Sequence, residues 1–183
     1  MTAAPGPGPD PVDALMDAWR TELPDVLRPT TELSKRITQL AGALDEATRG
    51  VLPELGLTVA EFDILVALRR AGEPYRMQPN ELARSLLLSS GGLSNVVNHL
   101  TGRGLVRREP SPDDGRATMI RLTLDGVHTA ERAVRAHADA HEAVFAEASP
   151  TAVQAAARAL REVGIRRRSA PRPLRTGRNR SRS

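Results

Sequence analysis

Around Gly104 the sequence stops a helix and turns at once into two extended runs, and few folds accept that order. Gly104, after Arg103, suits the helix-ending position where φ must be positive. Residues 105–110 and 117–123 then read as strands, with Thr118, Ile120 and Leu122 alternating against Met119 and Arg121. Between them Pro112, Asp113, Asp114 and Gly115 form a turn signal of the Asp-Gly type. Upstream, Pro79 suits the first position of a short helix, where its missing N–H costs nothing. Leu82, Ser85, Leu86 and Leu88 make one side of that helix, and Ser89 and Ser90 end it and offer oxygens to the free amides of the next. In this second helix Leu93, Val96, Val97 and Leu100 recur at helical spacing, leaving Ser90, Gly91, Ser94, Asn95 and Asn98 outward. Helix, tight turn, small-and-polar helix and basic hairpin make the winged helix-turn-helix order. The expected fold class is therefore mostly α with a small β-wing.

An outward face of hydroxyls, amides and glycines can approach base edges and phosphates of a duplex. The candidate DNA-binding residues are Ser89, Ser90, Gly91, Ser94, Asn95, Asn98, His99 and Arg103, with Asp114 and Arg116 at the hairpin tip. Arg107 and Arg108 lie close by in sequence. A single-strand binder is disfavoured, because Trp19, Phe62, Tyr75 and Phe145 are the only aromatic side chains on which bases could stack. The net charge of +4 divides unevenly. Eight of the 26 basic residues lie in residues 166–183, which hold no acid, so the remainder carries 18 basic against 22 acidic side chains, a net of −4. A duplex-binding face in the body must then be a local patch.

Residues 1–11 are mostly Ala, Gly and Pro and read as disordered, as does the Arg-rich tail, residues 166–183. One domain fills residues 12–165, with a DNA-binding core at residues 58–126. Residues 12–20 make a first helix with Val12, Leu15, Met16 and Trp19 on one side, and residues 27–55 a longer one that Pro53 bends or ends. Thr58 and Glu61 form a capping box. The helix that follows is apolar on nearly every side, which predicts burial and makes Asp63 an anomaly needing a cation, Arg70 being one candidate. Two alanine-rich helices follow residue 123 and suit packing against a second copy. His137 and His141 have zinc-compatible spacing, but with no further ligands nearby two exposed histidines are the simpler reading, and no metal or cofactor is expected. No cysteine is present, no run is apolar enough for a membrane span, and a cytoplasmic, nucleoid-associated protein is expected.

The run G-L-V-R-R-E-P-S-P-D-D-G-R-A-T-M-I-R-L-T, after L-S-N-V-V-N-H-L, resembles the MarR family of bacterial transcription regulators. The upstream run L-T-V-A-E-F-D-I-L-V-A-L-R-R-A-G-E-P-Y-R-M-Q-P-N-E-L-A-R-S-L-L is similar to its PecS-like, urate-responsive branch, and the resemblance spans residues 13–126. It implies a homodimer joined through terminal helices, reading double-stranded DNA as a repressor and released by a small anionic effector such as urate, another purine or an organic acid. It also implies an effector pocket of Trp19, Asp63, Arg70 and Arg108, in which Asp63 pairs with Arg108 until a ligand competes. Val96 and His99 stand where relatives usually carry arginines, so an operator sequence does not carry over. The competing readings are an architectural DNA-coating protein that uses the Arg-rich tail and, less favoured, an enzyme acting at the Trp19/Asp63 pocket. No Ser/His/Asp set or phosphate-cradling loop supports the enzyme.

Overall fold

The computed structural model describes residues 10–86, 89–111 and 117–164. The chain divides into two compact units, one ending at Ala146 and the other beginning at Glu147. The first contains α1 (Pro11–Glu22), α2 (Pro29–Val51), α3 (Val59–Arg70), β1 (Arg76–Met77), α4 (Pro79–Leu86), α5 (Ser90–Gly102), β2 (Val106–Pro110), β3 (Thr118–Leu122) and α6 (Leu124–Val144). In the second unit α7 spans Pro150–Val163, and its apolar Val153, Leu160 and Val163 are exposed.

α3 is the element around which the first unit is assembled, touching α4, α5, α6, β1 and β3. Its start is the expected capping box. The Thr58 hydroxyl accepts from the Glu61 amide at 3.2 Å, and Glu61 Oε2 accepts from the Thr58 amide at 2.9 Å. Ile64, Leu65 and Leu68 lie fully inside, where they meet Leu82 of α4, Val97 and Leu100 of α5, and Ile120 of β3 in one apolar cluster. Burying leucine-sized side chains contributes about 1.5–3 kcal/mol each, so this cluster holds the helix-turn-helix onto the sheet.

The wing is a three-stranded antiparallel sheet in the order β1-β3-β2, with Arg108 opposite Ile120 and Arg107 opposite Arg121. β1 is absent from the sequence reading, since two residues are too short to display a period of two. α2 ends at Val51, short of the expected residue 55, because Pro53 opens a 3-10 turn closed by left-handed Gly56 (φ 62°). α1 buries Val12 and Met16 but leaves Leu15 and Trp19 exposed, and no residue of α2 is fully buried. Arg36 of α2 joins the two helices through Asp10 and Asp13.

The wing passes into α6 at a close backbone approach. Thr123 caps α6, its hydroxyl accepting from the Gly126 amide at 3.0 Å and donating to the Gly104 carbonyl at 2.7 Å. A Cβ on Gly126 would lie 1.9 Å from the Leu105 carbonyl oxygen. Since that obstacle is backbone, Gly126→Ala is expected to destabilise the fold by about 3 kcal/mol. Urea unfolding checks this, and an unchanged midpoint would refute the packing described.

Candidate nucleic-acid interface and ligand cavity

The open side of α5 carries Gly91, Ser94, Asn95, Asn98 and His99, all exposed, while Leu93, Val97 and Leu100 turn into the core. Val96 packs half-buried against that core, so it is a packing residue rather than a reading one. Ser89 is the N-cap, its hydroxyl accepting from the Gly92 amide at 3.2 Å. Ser90 opens α5. The Ser90 side chain, Asp114 and Arg116 lie outside the described residues.

Among the described residues the wing reaches this face through a hydrogen bond from Arg108. Arg108 Nη2 donates to Asn98 Oδ1 at 2.9 Å, which orients the amide and leaves its nitrogen to donate outward. Arg108 therefore stands beside α5 and does not pair with Asp63, which makes no ion pair among the described residues. The expected Asp63–Arg108 tie is corrected. The reason is helical phase: Asp63 lies on the α3 face toward His137 of α6, whereas Arg108 sits on β2 against α5.

The buried acid of α3 is Glu61, 2% exposed, and not Asp63, which is exposed. Glu61 Oε1 accepts from His99 Nδ1 at 2.7 Å and from Arg103 Nη1 at 3.0 Å. Its Oε2 accepts from the Thr58 amide at 2.9 Å and the Thr58 hydroxyl at 3.0 Å. Desolvation, the largest influence on Glu61, pushes its pKa up. The Thr58 amide, His99, the Thr58 hydroxyl and Arg103 together outweigh it, so the carboxyl is held below its ordinary value. Arg103, expected on the duplex-facing side, turns Nη1 inward to Glu61 and to the Gly56 carbonyl at 2.9 Å. Asp63 is shifted the other way: desolvation pushes its pKa up, and the charge of His137 opposes this.

Of the four effector residues implied by resemblance, Arg70 alone lines the cavity of about 400 Å³ found between α3 and α6. The others along it are Val66 and Arg69 of α3 and Glu131, Val134 and Arg135 of α6. Trp19 is 41% exposed on α1 and does not line it, nor do Asp63 and Arg108. Inside, Arg69 donates to Glu131 Oε1 through Nε at 3.0 Å and Nη2 at 2.7 Å, and its guanidinium lies 4.8 Å from the Tyr75 ring centre. The Tyr75 carbonyl accepts from the Leu122 amide at 3.1 Å, so the residue beneath Arg69 is tied to the sheet.

His137 and His141 are half-buried rather than exposed: the His137 ring stacks on Phe62 at 5.0 Å, and His141 Nε2 lies 2.8 Å from the Thr48 hydroxyl. Desolvation and the neighbouring His141 lower the His137 pKa against the pull of Asp63. No group of three or more metal-ligating side chains occurs among the described residues. Sequence reading also missed a row of arginines in register across the sheet, Arg76, Arg121 and Arg107, which share Glu109 at 3.5, 3.6 and 3.2 Å. The alternation of β3 could have found it, since Arg121 must face away from Ile120 and Leu122.

A profile described as the MarR family matches residues 55–117. The HTH-type transcriptional regulator PecS of Dickeya dadantii (strain 3937) is 30% identical over 128 residues, which cover 70% of this chain and 77% of that protein. The apo crystal structure of wild-type MarR from E. coli matches with a TM-score of 0.64 at 25% identity, covering 75% of this chain and 97% of that one. A mutant of that protein complexed with operator DNA matches with a TM-score of 0.60 at 24% identity, covering 79% and 96%.

The two carboxylates of α3 predict opposite responses. Glu61 has a depressed folded pKa, so it adds stability above the unfolded carboxyl range that is lost as pH falls through the folded value. Asp63 has a raised one, so its cost is absent below the unfolded range, about pH 4, grows as pH rises from there to the folded value, and is complete above it. At pH 7 Glu61→Gln should therefore lower the melting temperature and Asp63→Asn raise it, both differences closing in acid. Melting curves from pH 3 to 7 test this, and shifts of one sign would refute the assignment.

Proposed function

The chain belongs to the MarR family of transcription regulators, and on that premise we propose that it is a homodimeric, ligand-responsive repressor released from a pseudo-palindromic operator by a small organic anion such as urate. It is a DNA-binding regulator rather than an enzyme. The observation that carries the proposal is the exposed face of α5, where Ser94, Asn95 and Asn98 stand open and Arg108 of the wing holds the Asn98 amide. Asparagine amides suit the major-groove edge of adenine, and serine hydroxyls accept or donate at either edge.

Exposed apolar side chains support a second copy. Leu15, Trp19, Leu23 and Ile37 of the first unit and Leu160 and Val163 of the second lie open to solvent. Two copies related by a two-fold axis would read half-sites roughly 10 base pairs apart. The effector half of the proposal rests on the α3–α6 cavity, whose volume falls within the range of about 300–1,000 Å³ usual for small-molecule sites. Val66 and Val134 offer apolar walls, and Arg70 and Arg135 offer cations for a carboxylate or urate anion. An anion that also draws on Arg69 loosens its bonds to Glu131 and its hold on Tyr75, and through Tyr75 the sheet. Release requires that the anion bind the DNA-incompetent arrangement more tightly than the competent one.

A mobility shift and footprint on the DNA upstream of the gene, titrated with urate, xanthine and aconitate, test the reading. Discrete protected sites that disappear with one of these anions are expected. Arg70→Ala should raise the anion concentration for half-release about tenfold or more, with operator affinity unchanged, because a charge-assisted pair is removed from the cavity alone. Uniform protection along any duplex would sink the repressor reading, and release unaffected by Arg70→Ala would sink the cavity assignment.

A further inference from the structure

We infer that Glu61 is a positioning residue for sequence reading: it fixes the ring of His99 on the recognition helix and so decides which base groups that ring can meet. The inference rests on the DNA-binding reading above and deepens it. An ionised carboxylate only accepts, so the 2.7 Å contact between Glu61 Oε1 and His99 Nδ1 commits the ring hydrogen to Nδ1. Nε2 is then the free nitrogen of a side chain that remains 67% exposed on the same helix as Asn95 and Asn98. On the neutral ring Nε2 is an acceptor, which matches the exocyclic amino group of adenine or cytosine in the major groove. A ring released from Glu61 is free to take the other tautomer, present a donor at Nε2, and favour guanine or thymine oxygens instead.

Three features keep the ring in place. Glu61 is held from behind by the Thr58 amide and hydroxyl at 2.9 and 3.0 Å, at the capped end of α3. Arg103 shares Oε1 at 3.0 Å and is itself bonded to the Gly56 carbonyl at 2.9 Å, so the charge of the carboxylate is met without taking the hydrogen from His99. His99 and Arg103 are one helical turn apart, and the single oxygen therefore also sets the rotation of the last turn of α5 against α3.

The test is carried out on the full chain at pH 8.5, above the range in which imidazole changes charge. Nitrogen-15 spectra of the histidine rings, with His99→Gln identifying the signal, are expected to give the Nδ1–H tautomer in the wild type and a mixture in Glu61→Gln. Binding sites selected from a randomised duplex pool should change base preference at the same operator position in Glu61→Gln and His99→Gln. Specific affinity should fall about tenfold in each, with little change on non-specific duplex. In the His99→Gln background, Glu61→Gln should leave base preference where it is. Glu61→Asp, which keeps an acidic side chain at the start of α3 but falls short of His99, should repeat the tautomer and preference changes, and stands in for Glu61→Gln if that variant does not fold. An Nε2–H tautomer in the wild type, or an unchanged base preference in folded Glu61 variants, overturns the inference. Failure of the wild type to bind any discrete site overturns the DNA-binding reading instead.

Discussion

The arrangement depends on one buried carboxylate. Moving an ion such as Glu61 out of water costs several kcal/mol, and the cost is offset here because both oxygens are saturated, each by two donors. Those donors come from separate places: the residue that starts α3, and the last turns of α5. The bonds that satisfy the charge therefore also set where the recognition helix lies. An apolar residue at this position could pack as well, but it would leave Arg103 and the Thr58 amide without these acceptors and the rotation of α5 to packing alone. Packing of leucines tolerates small rotations, whereas two hydrogen bonds to one oxygen tolerate far less.

The same logic of sharing accounts for the charge of the body. With a net of −4 outside the tail, the body of the molecule has no general attraction for a polyanion. Local attraction is built on the sheet, where Arg76, Arg121 and Arg107 stand in register and share the single carboxylate of Glu109. Glu109 lowers the repulsion among them without cancelling it, leaving a positive face on the wing. The Arg108–Asn98 bond then joins the wing to α5, so the two parts of the reading surface hold each other in register.

What the sequence made legible was local. Gly104, the Thr58/Glu61 box and Pro53 each act over a few residues, and the winged helix-turn-helix order is read from such signals, the Asp-Gly turn lying outside the described residues. The errors are of another kind. α3 is apolar on so many sides that its polar residues give no phase, so the sequence alone puts Asp63 inside and Glu61 only at a cap. In the structure the face bearing Glu61, Leu65 and Leu68 is inward, and the face bearing Asp63 and Arg70 is outward. Arg103 was expected outward for a similar reason: its partner lies 42 residues away, beyond any spacing rule. β1 is visible only once β3 is there to pair with it.

If the cavity holds the effector as proposed, α3 gives it a short path to the face of α5. It is twelve residues long, and its two faces do different work: Glu61 holds α5 on one, and Val66 and Arg70 line the cavity on the other, with Arg69 at its last turn. On the reading proposed above, a shift of the C-terminal turn of α3 against α6 would be felt at Glu61, because the short helix is anchored by a cap and packed on five elements. Arg69 supplies a second route, since its bonds to Glu131 and its contact with Tyr75 connect the cavity to the strand beside β3. Both routes end on the residues that hold Asn98 and His99 in position, Arg108 on β2 and Glu61 on α3. On that reading no separate transmission element is required, because the helix that completes the core touches both the cavity and the face of α5.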